Sequence, residues 1–252
     1  FLLSFLLSKF NIKGVIALYN RKDLLGLRDL SADEIMTILN TAKEMKAKID
    51  NPSLRDDSLS KSSIVTLFYE NSTRTKMSFM LAGDYQGAIV KDLGVATSSV
   101  SKGESLVDTG VTLDQMGINI MIIRHQMTGA AHLLAKNVKA SVVNAGDGSN
   151  EHPTQALLDL FTIMEKKGSF EGLKVVILGD ISHSRVARSN AFGLTKLGAK
   201  VTLAGPSTLV SNSMKSLGVE VETDIPKAIK DADVVMGLRI QFERQKNMQF
   251  PS

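Results

Sequence analysis

A cluster of hydroxyl and guanidinium groups follows a short apolar run in the first third of the chain. Ser72, Thr73, Arg74 and Thr75 come after the strand-like residues 64–68 and open a helix-like segment. They therefore lie where a helix exposes its unpaired backbone N–H groups and the positive end of its dipole. Such a cluster favours an anion site, most naturally one for phosphate. The alternative is a helix start capped by Ser72 with a solvated arginine.

Polar side chains also follow four other predicted strands. In an open parallel sheet, ligands bind beyond the carboxyl ends of the strands, so clusters at several such ends favour a binding site there. Taken singly, each cluster is also typical of solvated charges at a strand end. The four clusters are Arg124-His125, residues 144–155, residues 179–185 and residues 239–244.

Three of these clusters carry groups that could recognise a carbonyl or a carboxylate. His152 and Gln155 flank a helix start at Pro153, and an imidazole or an amide there could donate to a carbonyl oxygen. The alternative is an ordinary helix start with a polar neighbour. Arg185 could hold a carboxylate by a bidentate fork, and Arg239 opens a segment with two guanidiniums and an amide.

The chain lacks the sequence patterns of several common reaction types. Residues 179–188 have no Gly-x-Gly-x-x-Gly pattern, and there is no Walker-type phosphate loop, no Gly-x-Ser-x-Gly elbow and no cysteine. None of the four histidines has zinc-ligand spacing with acids. We therefore expect no cofactor and no metal. The inventory suits a reaction in which the enzyme holds two anionic substrates and polarises a carbonyl while a substrate amine attacks.

Short apolar runs alternate with helical patterns after a first amphipathic helix that begins near Ser31. This alternation predicts an α/β fold of two domains, each a parallel β-sheet flanked by helices, with a break at residues 166–172. The predicted strands are residues 63–68, 118–123, 141–143, 173–178, 199–203, 219–222 and 233–238. The predicted helices are residues 74–86, 105–116, 128–137, 154–166, 184–197, 207–216 and 225–230.

Composition narrows the choice of partners. The 252 residues are 43% hydrophobic and 22% charged, as in ordinary globular proteins. The net charge of +4 comes from four basic residues in the acid-free residues 1–22, and the remainder holds 26 residues of each sign. We therefore expect no nucleic-acid partner. The lack of cysteine fits a reducing compartment, so we expect a cytoplasmic protein. We also expect no membrane partner.

Residues 1–22 differ in character from the rest of the chain. They open on an apolar stretch interrupted by Ser4, Ser8 and Lys9, and they lack the basic start and the cleavage site of a secretory signal. We expect an appended segment with no part in the fold. An organelle transit peptide and a short interfacial helix are the alternatives.

Five ordered motifs resemble those of the aspartate carbamoyltransferases, and the resemblance runs from about residue 22 to residue 247. Asn71 departs from the family pattern, which usually has Pro there, and Lys76 stands where Arg is common. The motifs are Phe68-x-Glu-x-Ser-Thr-Arg-Thr75, Ser101-Lys-Gly-Glu104, His152-Pro-Thr-Gln155 with residues 156–160, Gly179-Asp180 with His183-Ser-Arg185, and Arg239-x-Gln-x-Glu-Arg244.

The resemblance implies transfer of the carbamoyl group of carbamoyl phosphate to the amine of L-aspartate, an early step of pyrimidine synthesis. It implies a carbamoyl-phosphate-binding domain at residues 23–166 and an aspartate-binding domain at residues 167–252. For carbamoyl phosphate it implies Ser72, Thr73, Arg74, Thr75, Ser98, Lys102, Arg124, His152 and Gln155. For aspartate it implies Lys102, Arg185, Arg239 and Gln241. Catalysis would fall to Arg74, Thr75, Lys102, Arg124 and His152.

The resemblance also bears on assembly and on the end of the chain. Ser98 and Lys102 resemble the loop that enters a neighbouring subunit's site, which implies a homotrimer with shared active sites, with or without regulatory chains. The family normally continues past Ser252 with a His-Pro-x-Pro loop and a final helix, so we expect an incomplete second domain.

Three other functions are alternatives. An ornithine carbamoyltransferase would share the phosphate motif, but it would need a site for a cationic side chain, whereas residues 239–244 offer cations. An inactive binding or scaffold homologue is the second alternative. The intact residues 72–75, Lys102, Arg124, His152 and Arg185 speak against it, whereas the missing C-terminal elements favour it. A phosphate-binding regulatory module is the third.

Overall fold

The computed structural model describes residues 21–95 and 98–239, which form two compact units. Among the described residues, the first unit holds residues 21–26, 33–95 and 98–154, and the second holds residues 27–32 and 155–239. This division falls at the start of a helix, about a dozen residues before the predicted domain boundary.

The first unit contains a four-stranded parallel sheet in the order β2-β1-β3-β4. Helices connect the strands, as parallel pairing requires. Its helices are α1 (Ala32–Asp50), α2 (Thr73–Asp84), α3 (Leu106–Gln115) and α4 (Ala130–Asn137). Its strands are β1 (Ser63–Phe68), β2 (Ile89–Leu93), β3 (Ile120–His125) and β4 (Ser141–Asp147).

The central strands of this sheet are buried on both faces, which explains their continuous apolar sequence. Five of the six residues of β1 are buried, as are the first four of β3. One hydrophobic cluster joins these strands to α4 and β4. Its buried members are Val65, Leu67, Met121, Ile123, Ala130, Ala131, Leu134, Val138, Ala140 and Val142.

The strand register brings the polar strand ends to one edge of this sheet. Phe68, the last residue of β1, pairs with Arg124, and His125 pairs with Asp147 across a register shift. The chain stays in contact beyond β1, because the Tyr69 N–H donates to the Arg124 carbonyl at 2.9 Å. The turn that leads into α2 therefore begins beside the end of β3.

The second unit contains another parallel sheet of four strands, in the order β7-β6-β5-β8. The turn after β5 passes close to the end of β8. A Cβ on Gly179 would approach the Leu238 carbonyl oxygen to 3.1 Å, and its φ of +131° also favours glycine. The elements are α5 (Pro153–Lys167), β5 (Lys174–Leu178), α6 (Arg185–Lys196), β6 (Lys200–Ala204), β7 (Glu220–Glu222), α7 (Ile225–Ile229) and β8 (Val234–Gly237).

The predicted fold class is confirmed, with two parallel sheets and flanking helices. Two predictions for single elements are wrong. Strand β2 was not predicted, and the helix predicted at residues 207–216 is a 3-10 helix at Asn212–Leu217. All other predicted strands and helices are present, with ends shifted by a few residues.

The appended segment predicted at residues 1–22 lies mostly outside the described residues. Its last two residues contact the first unit. Arg21 pairs with Glu34 on α1 at 2.6 Å, and the Lys22 ammonium donates to the Val138 and Ala140 carbonyls at 3.1 and 2.9 Å. The expectation that the segment takes no part in the fold is therefore wrong for Arg21 and Lys22. Within residues 21–95 and 98–239, no helix is long and apolar enough to cross a membrane.

Candidate active site

Ser72 precedes α2 with an extended backbone, φ −162° and ψ 97°, and its side chain makes no capping hydrogen bond. Two other serines at equivalent positions do cap. Ser105 accepts from the Asp108 N–H, and Ser184 accepts from the Ala187 N–H. The simple interpretation of Ser72 as a helix cap is therefore wrong. Its hydroxyl and the first N–H groups of α2 remain open to an external anion.

Helix α2 is fixed to the sheet by an ion pair one turn from its start. The Lys76 ammonium donates to Asp92 on β2 at 2.8 Å, and the buried Thr66 hydroxyl of β1 donates to the same carboxylate at 2.6 Å. Burial would raise the pKa of Asp92, but these two hydrogen bonds and the Lys76 charge outweigh it and lower that pKa. Lys76 thus anchors the helix, while Thr73 and Arg74 are exposed.

Arg124 lies at the end of β3 among three partners. Its Nε is 3.1 Å from a Glu70 carboxylate oxygen, and its Nη1 is 3.4 Å from both the Ala145 carbonyl oxygen and His152 Nε2. Glu70 follows β1, Ala145 lies on β4, and His152 precedes α5. The guanidinium is therefore held by groups from neighbouring strands of one sheet, beside the open start of α2.

The loop that carries His152 is organised by the buried carboxylate of Asp147. This carboxylate accepts hydrogen bonds from the backbone N–H of Gly129 at 2.8 Å and from the Asn144 amide at 2.8 Å. It also accepts from the Glu151 N–H at 3.3 Å. The loop is thereby fixed against α4 and β4, and His152 is 6% exposed.

His125 faces a different environment from Arg124. Its ring centroid lies 4.5 Å from that of Tyr69, and its Nδ1 accepts from the Met127 N–H at 2.8 Å. Burial lowers the pKa of His125 against the opposing charges of Glu70 and Asp147. We therefore interpret His125 as a structural residue of the turn after β3.

Gln155, in the first turn of α5, donates through Nε2 to Asp159 at 3.0 Å. In the second unit, Arg185 is the first residue of α6 and is 3% exposed, whereas Arg239 is exposed after β8. The Leu238 N–H donates to the Leu178 carbonyl at 2.8 Å, so β5 and β8 end together. The segments that carry Arg185 and Arg239 therefore leave the sheet at the same edge.

The predicted shared loop forms a 3-10 helix at Ser99–Lys102. The Ser98 hydroxyl accepts from the Val100 N–H at 3.3 Å, and Gly103 ends the turn in the left-handed conformation. Lys102 is exposed in the first unit. Gln241 lies outside the described residues.

Comparison with known proteins identifies the relatives of this chain. Residues 22–165 match the family described as aspartate/ornithine carbamoyltransferase, carbamoyl-P binding domain. The aspartate carbamoyltransferase catalytic subunit of Acetivibrio thermocellus is 63% identical over 231 residues, which cover 92% of this chain and 74% of that protein. The chain belongs to the aspartate carbamoyltransferase family. The catalytic subunit of Ruminiclostridium cellulolyticum is similar at 62% identity over the same shares of both chains.

Solved structures of aspartate carbamoyltransferases have the same fold. The aspartate transcarbamoylase of Trypanosoma cruzi in complex with carbamoyl phosphate matches with a TM-score of 0.83 and 29% identity, covering 93% of this chain and 76% of that one. The same enzyme with carbamoyl phosphate and aspartate matches with a TM-score of 0.82 and 28% identity, covering 94% and 77%.

Three acidic side chains hold candidate site residues, and no role was predicted for them. Glu70 pairs with Arg124, Asp147 organises the loop before His152, and Asp159 binds Gln155. Glu70 belongs to the family motif at residues 68–75, so the sequence did mark its position. The partners of Asp147 and Asp159 include residues far away in sequence, so their roles required the structure.

Proposed function

We propose that this chain binds carbamoyl phosphate at the start of α2 and transfers its carbamoyl group to the amine of L-aspartate. The products are N-carbamoyl-L-aspartate and phosphate, and we place the reaction in pyrimidine synthesis. The single observation that carries the site assignment is the uncapped start of α2, with its unused Ser72 hydroxyl, beside the held guanidinium of Arg124.

The phosphate is proposed to bind Ser72, Thr73, Arg74 and Thr75. Backbone N–H groups at the helix start point toward an anion, and the helix dipole favours negative charge there. Arg74 is exposed and adds a bidentate donor, which matches phosphate geometry. The Lys76–Asp92 pair keeps the helix start in place without occupying it.

The carbamoyl carbonyl is proposed to be polarised by Thr75, Arg124 and His152. The neutral amine of aspartate forms a bond to the carbonyl carbon, and negative charge develops on the carbonyl oxygen. Donors held in advance stabilise that charge without reorganisation. The bond from carbon to the phosphate oxygen then breaks, and the departing phosphate accepts the amine proton, so no general base from the protein is needed.

L-aspartate is proposed to bind Arg185, Arg239, Gln241 and Lys102 through its two carboxylates. The common sheet edge of Arg185 and Arg239 supports this assignment, because two cations there match a dianionic substrate and would repel a cationic ornithine side chain.

The proposed assembly is a homotrimer in the cytoplasm whose active sites are shared between subunits, with Ser98 and Lys102 entering a neighbour's site. The exposure of Lys102 on a short 3-10 helix supports this arrangement. Association with regulatory chains is compatible with the same trimer.

The function is tested by measuring carbamoyl transfer with aspartate and with ornithine as acceptors. We expect a carbamoylated product with aspartate as the acceptor and none with ornithine. Arg74→Ala should lower kcat/KM by about 3 kcal/mol of barrier, or roughly a hundredfold, because one preorganised charged donor is lost.

The matched control is Ser78→Ala on the same helix. The Ser78 hydroxyl donates to the Arg74 carbonyl at 2.8 Å and is exposed, so this variant changes α2 without removing a proposed ligand. It should keep wild-type kinetics. Transfer to ornithine, or full activity in Arg74→Ala, would contradict the proposal.

A further inference from the structure

Asp159 lies one helical turn after Gln155 on α5 and joins two amide side chains. One carboxylate oxygen accepts from Gln155 Nε2 at 3.0 Å, and the other accepts from Asn190 Nδ2 on α6 at 2.8 Å. Asn190 is fully buried. The carboxylate therefore links the start of α5 to the interior of α6 in the second unit.

These contacts fix which way the Gln155 amide points. A carboxylate only accepts hydrogen bonds, so Gln155 must turn its NH₂ group toward Asp159. The amide oxygen Oε1 then faces away from the carboxylate. It has no hydrogen-bond partner among the described residues and remains available to a bound molecule.

The orientation of the Asn190 amide is itself fixed by two hydrogen bonds. Its NH₂ group donates to Asp159 and also to the Val186 carbonyl oxygen at 3.1 Å. Turning the Asn190 amide over would place its oxygen against that carbonyl oxygen. Asn190 can therefore act only as a donor to position 159, and the Asn190 oxygen stays buried without a partner.

The carboxylate is held at an energetic cost. Burial raises the pKa of Asp159, although the hydrogen bonds from Asn190 and Gln155 oppose that rise. An asparagine would fill the same space without a partly buried charge. What the acid supplies, and asparagine cannot, is two acceptors for two amide donors.

We propose that Asp159 is a positioning residue that makes the enzyme select a carbamoyl group by its NH₂. The inference rests on the proposed function, in which Gln155 contacts the carbamoyl nitrogen. With Nε2 bound to Asp159, Gln155 presents Oε1 as an acceptor for that NH₂. An acyl phosphate with a methyl group in the same place, such as acetyl phosphate, cannot donate to this oxygen and binds more weakly.

The variant Asp159→Asn should reverse the Gln155 amide. Because Asn190 can only donate, the new side-chain oxygen must face Asn190, and its NH₂ must face Gln155. Gln155 then turns its own NH₂ toward the carbamoyl NH₂, where two donors meet. We expect the preference for carbamoyl phosphate over acetyl phosphate, measured as a ratio of binding constants, to fall by about tenfold to a hundredfold.

A double-mutant cycle with Gln155→Ala separates positioning from a general structural effect. If Asp159 acts through Gln155, Asp159→Asn should leave this ratio unchanged in the Gln155→Ala background. A structural role would weaken both acyl phosphates equally. An unchanged ratio in the single variant, or an equal fall in both backgrounds, would overturn the proposal.

Two controls complete the experiment. Glu165→Gln removes a charge from an exposed position of α5 and should leave the ratio unchanged. Asp159→Ala frees the Gln155 amide and should lower the ratio to an intermediate value. Failure of both Asp159 variants to fold would also overturn the proposal. If wild-type protein bound neither acyl phosphate, the proposed function would fail instead, so the two failures are distinguishable.

Discussion

Two cations in and beside the candidate site are paired with acids before any substrate binds. Glu70 accompanies Arg124, and Asp92 accompanies Lys76. Arg124 is therefore oriented in advance, which lowers the cost of reorganisation when negative charge develops on a substrate oxygen. The sequence identified Arg124 as a candidate ligand, but it could not identify Glu70 as its partner, because that contact depends on the register of β1 and β3.

Asp159→Asn should also change how stability depends on pH. Burial raises the pKa of Asp159 above its ordinary value of 3.8, so the folded protein holds this proton more tightly than the unfolded chain does. In the wild type, the free energy of unfolding therefore decreases as pH rises from 3.8 through the raised pKa. The variant lacks that decrease.

Urea unfolding at a series of pH values tests this prediction. The stability of Asp159→Asn relative to the wild type should increase across that pH window and then become constant. Glu165→Gln, an exposed acid-to-amide change on the same helix, serves as the control. A difference that is the same at every pH would contradict a raised pKa at Asp159.

A serine precedes each of three helices, but these serines differ in whether their side chains cap the helix. Ser105 and Ser184 cap α3 and α6, whereas Ser72 leaves the start of α2 open. The sequence places all three serines correctly at helix starts. It cannot tell a used cap from an unused one, because that difference lies in the rotamer and the backbone angles of a single residue.

Ser105→Ala should change mainly stability, whereas Ser72→Ala should change mainly substrate binding. Ser105→Ala removes a capping bond and should lower the free energy of unfolding by about 1 kcal/mol. Ser72→Ala removes no such bond and should change stability by less than about 0.5 kcal/mol, while raising KM for carbamoyl phosphate.

Urea midpoints and steady-state kinetics on the two purified variants check this pair of predictions. Both positions belong to the first unit, so each variant is the control for the other. A stability loss at Ser72 equal to that at Ser105 would show that Ser72 caps α2 in solution.

Two elements were not predicted correctly from the sequence, and both are weakly buried. Strand β2 lies at the edge of its sheet, and three of its five residues are exposed, so it has no continuous apolar run. The 3-10 helix Asn212–Leu217 has no buried residue, and serine side chains bond the backbone at its start. The buried central strands β1, β3 and β5 were all predicted.

At the scale of the whole molecule, each compact unit contains some of the residues that we propose as substrate ligands. Ser72, Arg124 and His152 belong to the first unit, and Arg185 and Arg239 belong to the second. Motif order along the chain was enough to predict a two-substrate enzyme. It was not enough to predict where one compact unit ends, because helix α5 begins in the first and continues in the second.

Mixing two inactive variants tests the proposed sharing of sites. Arg74→Ala and Lys102→Ala should each be nearly inactive alone, with roughly a hundredfold loss of activity. In randomly mixed trimers, a site built from the first unit of one subunit and Lys102 of its neighbour is intact in about a quarter of cases, so activity should recover to about that fraction. Size-exclusion chromatography with differently tagged subunits confirms mixing. No recovery after confirmed mixing would contradict shared sites.

The uncapped start of α2 affects the choice of buffer for measurements on this enzyme. Under the proposed phosphate binding, a small dianion from the solution would accept hydrogen bonds from the N–H groups that Ser72 leaves uncapped. A molecule that binds only the folded state raises apparent stability by mass action. Melting temperatures recorded in phosphate buffer should therefore exceed those in an amine buffer of equal ionic strength. The phosphate product should also inhibit by competing with carbamoyl phosphate. Kinetic measurements should therefore be made in phosphate-free solutions.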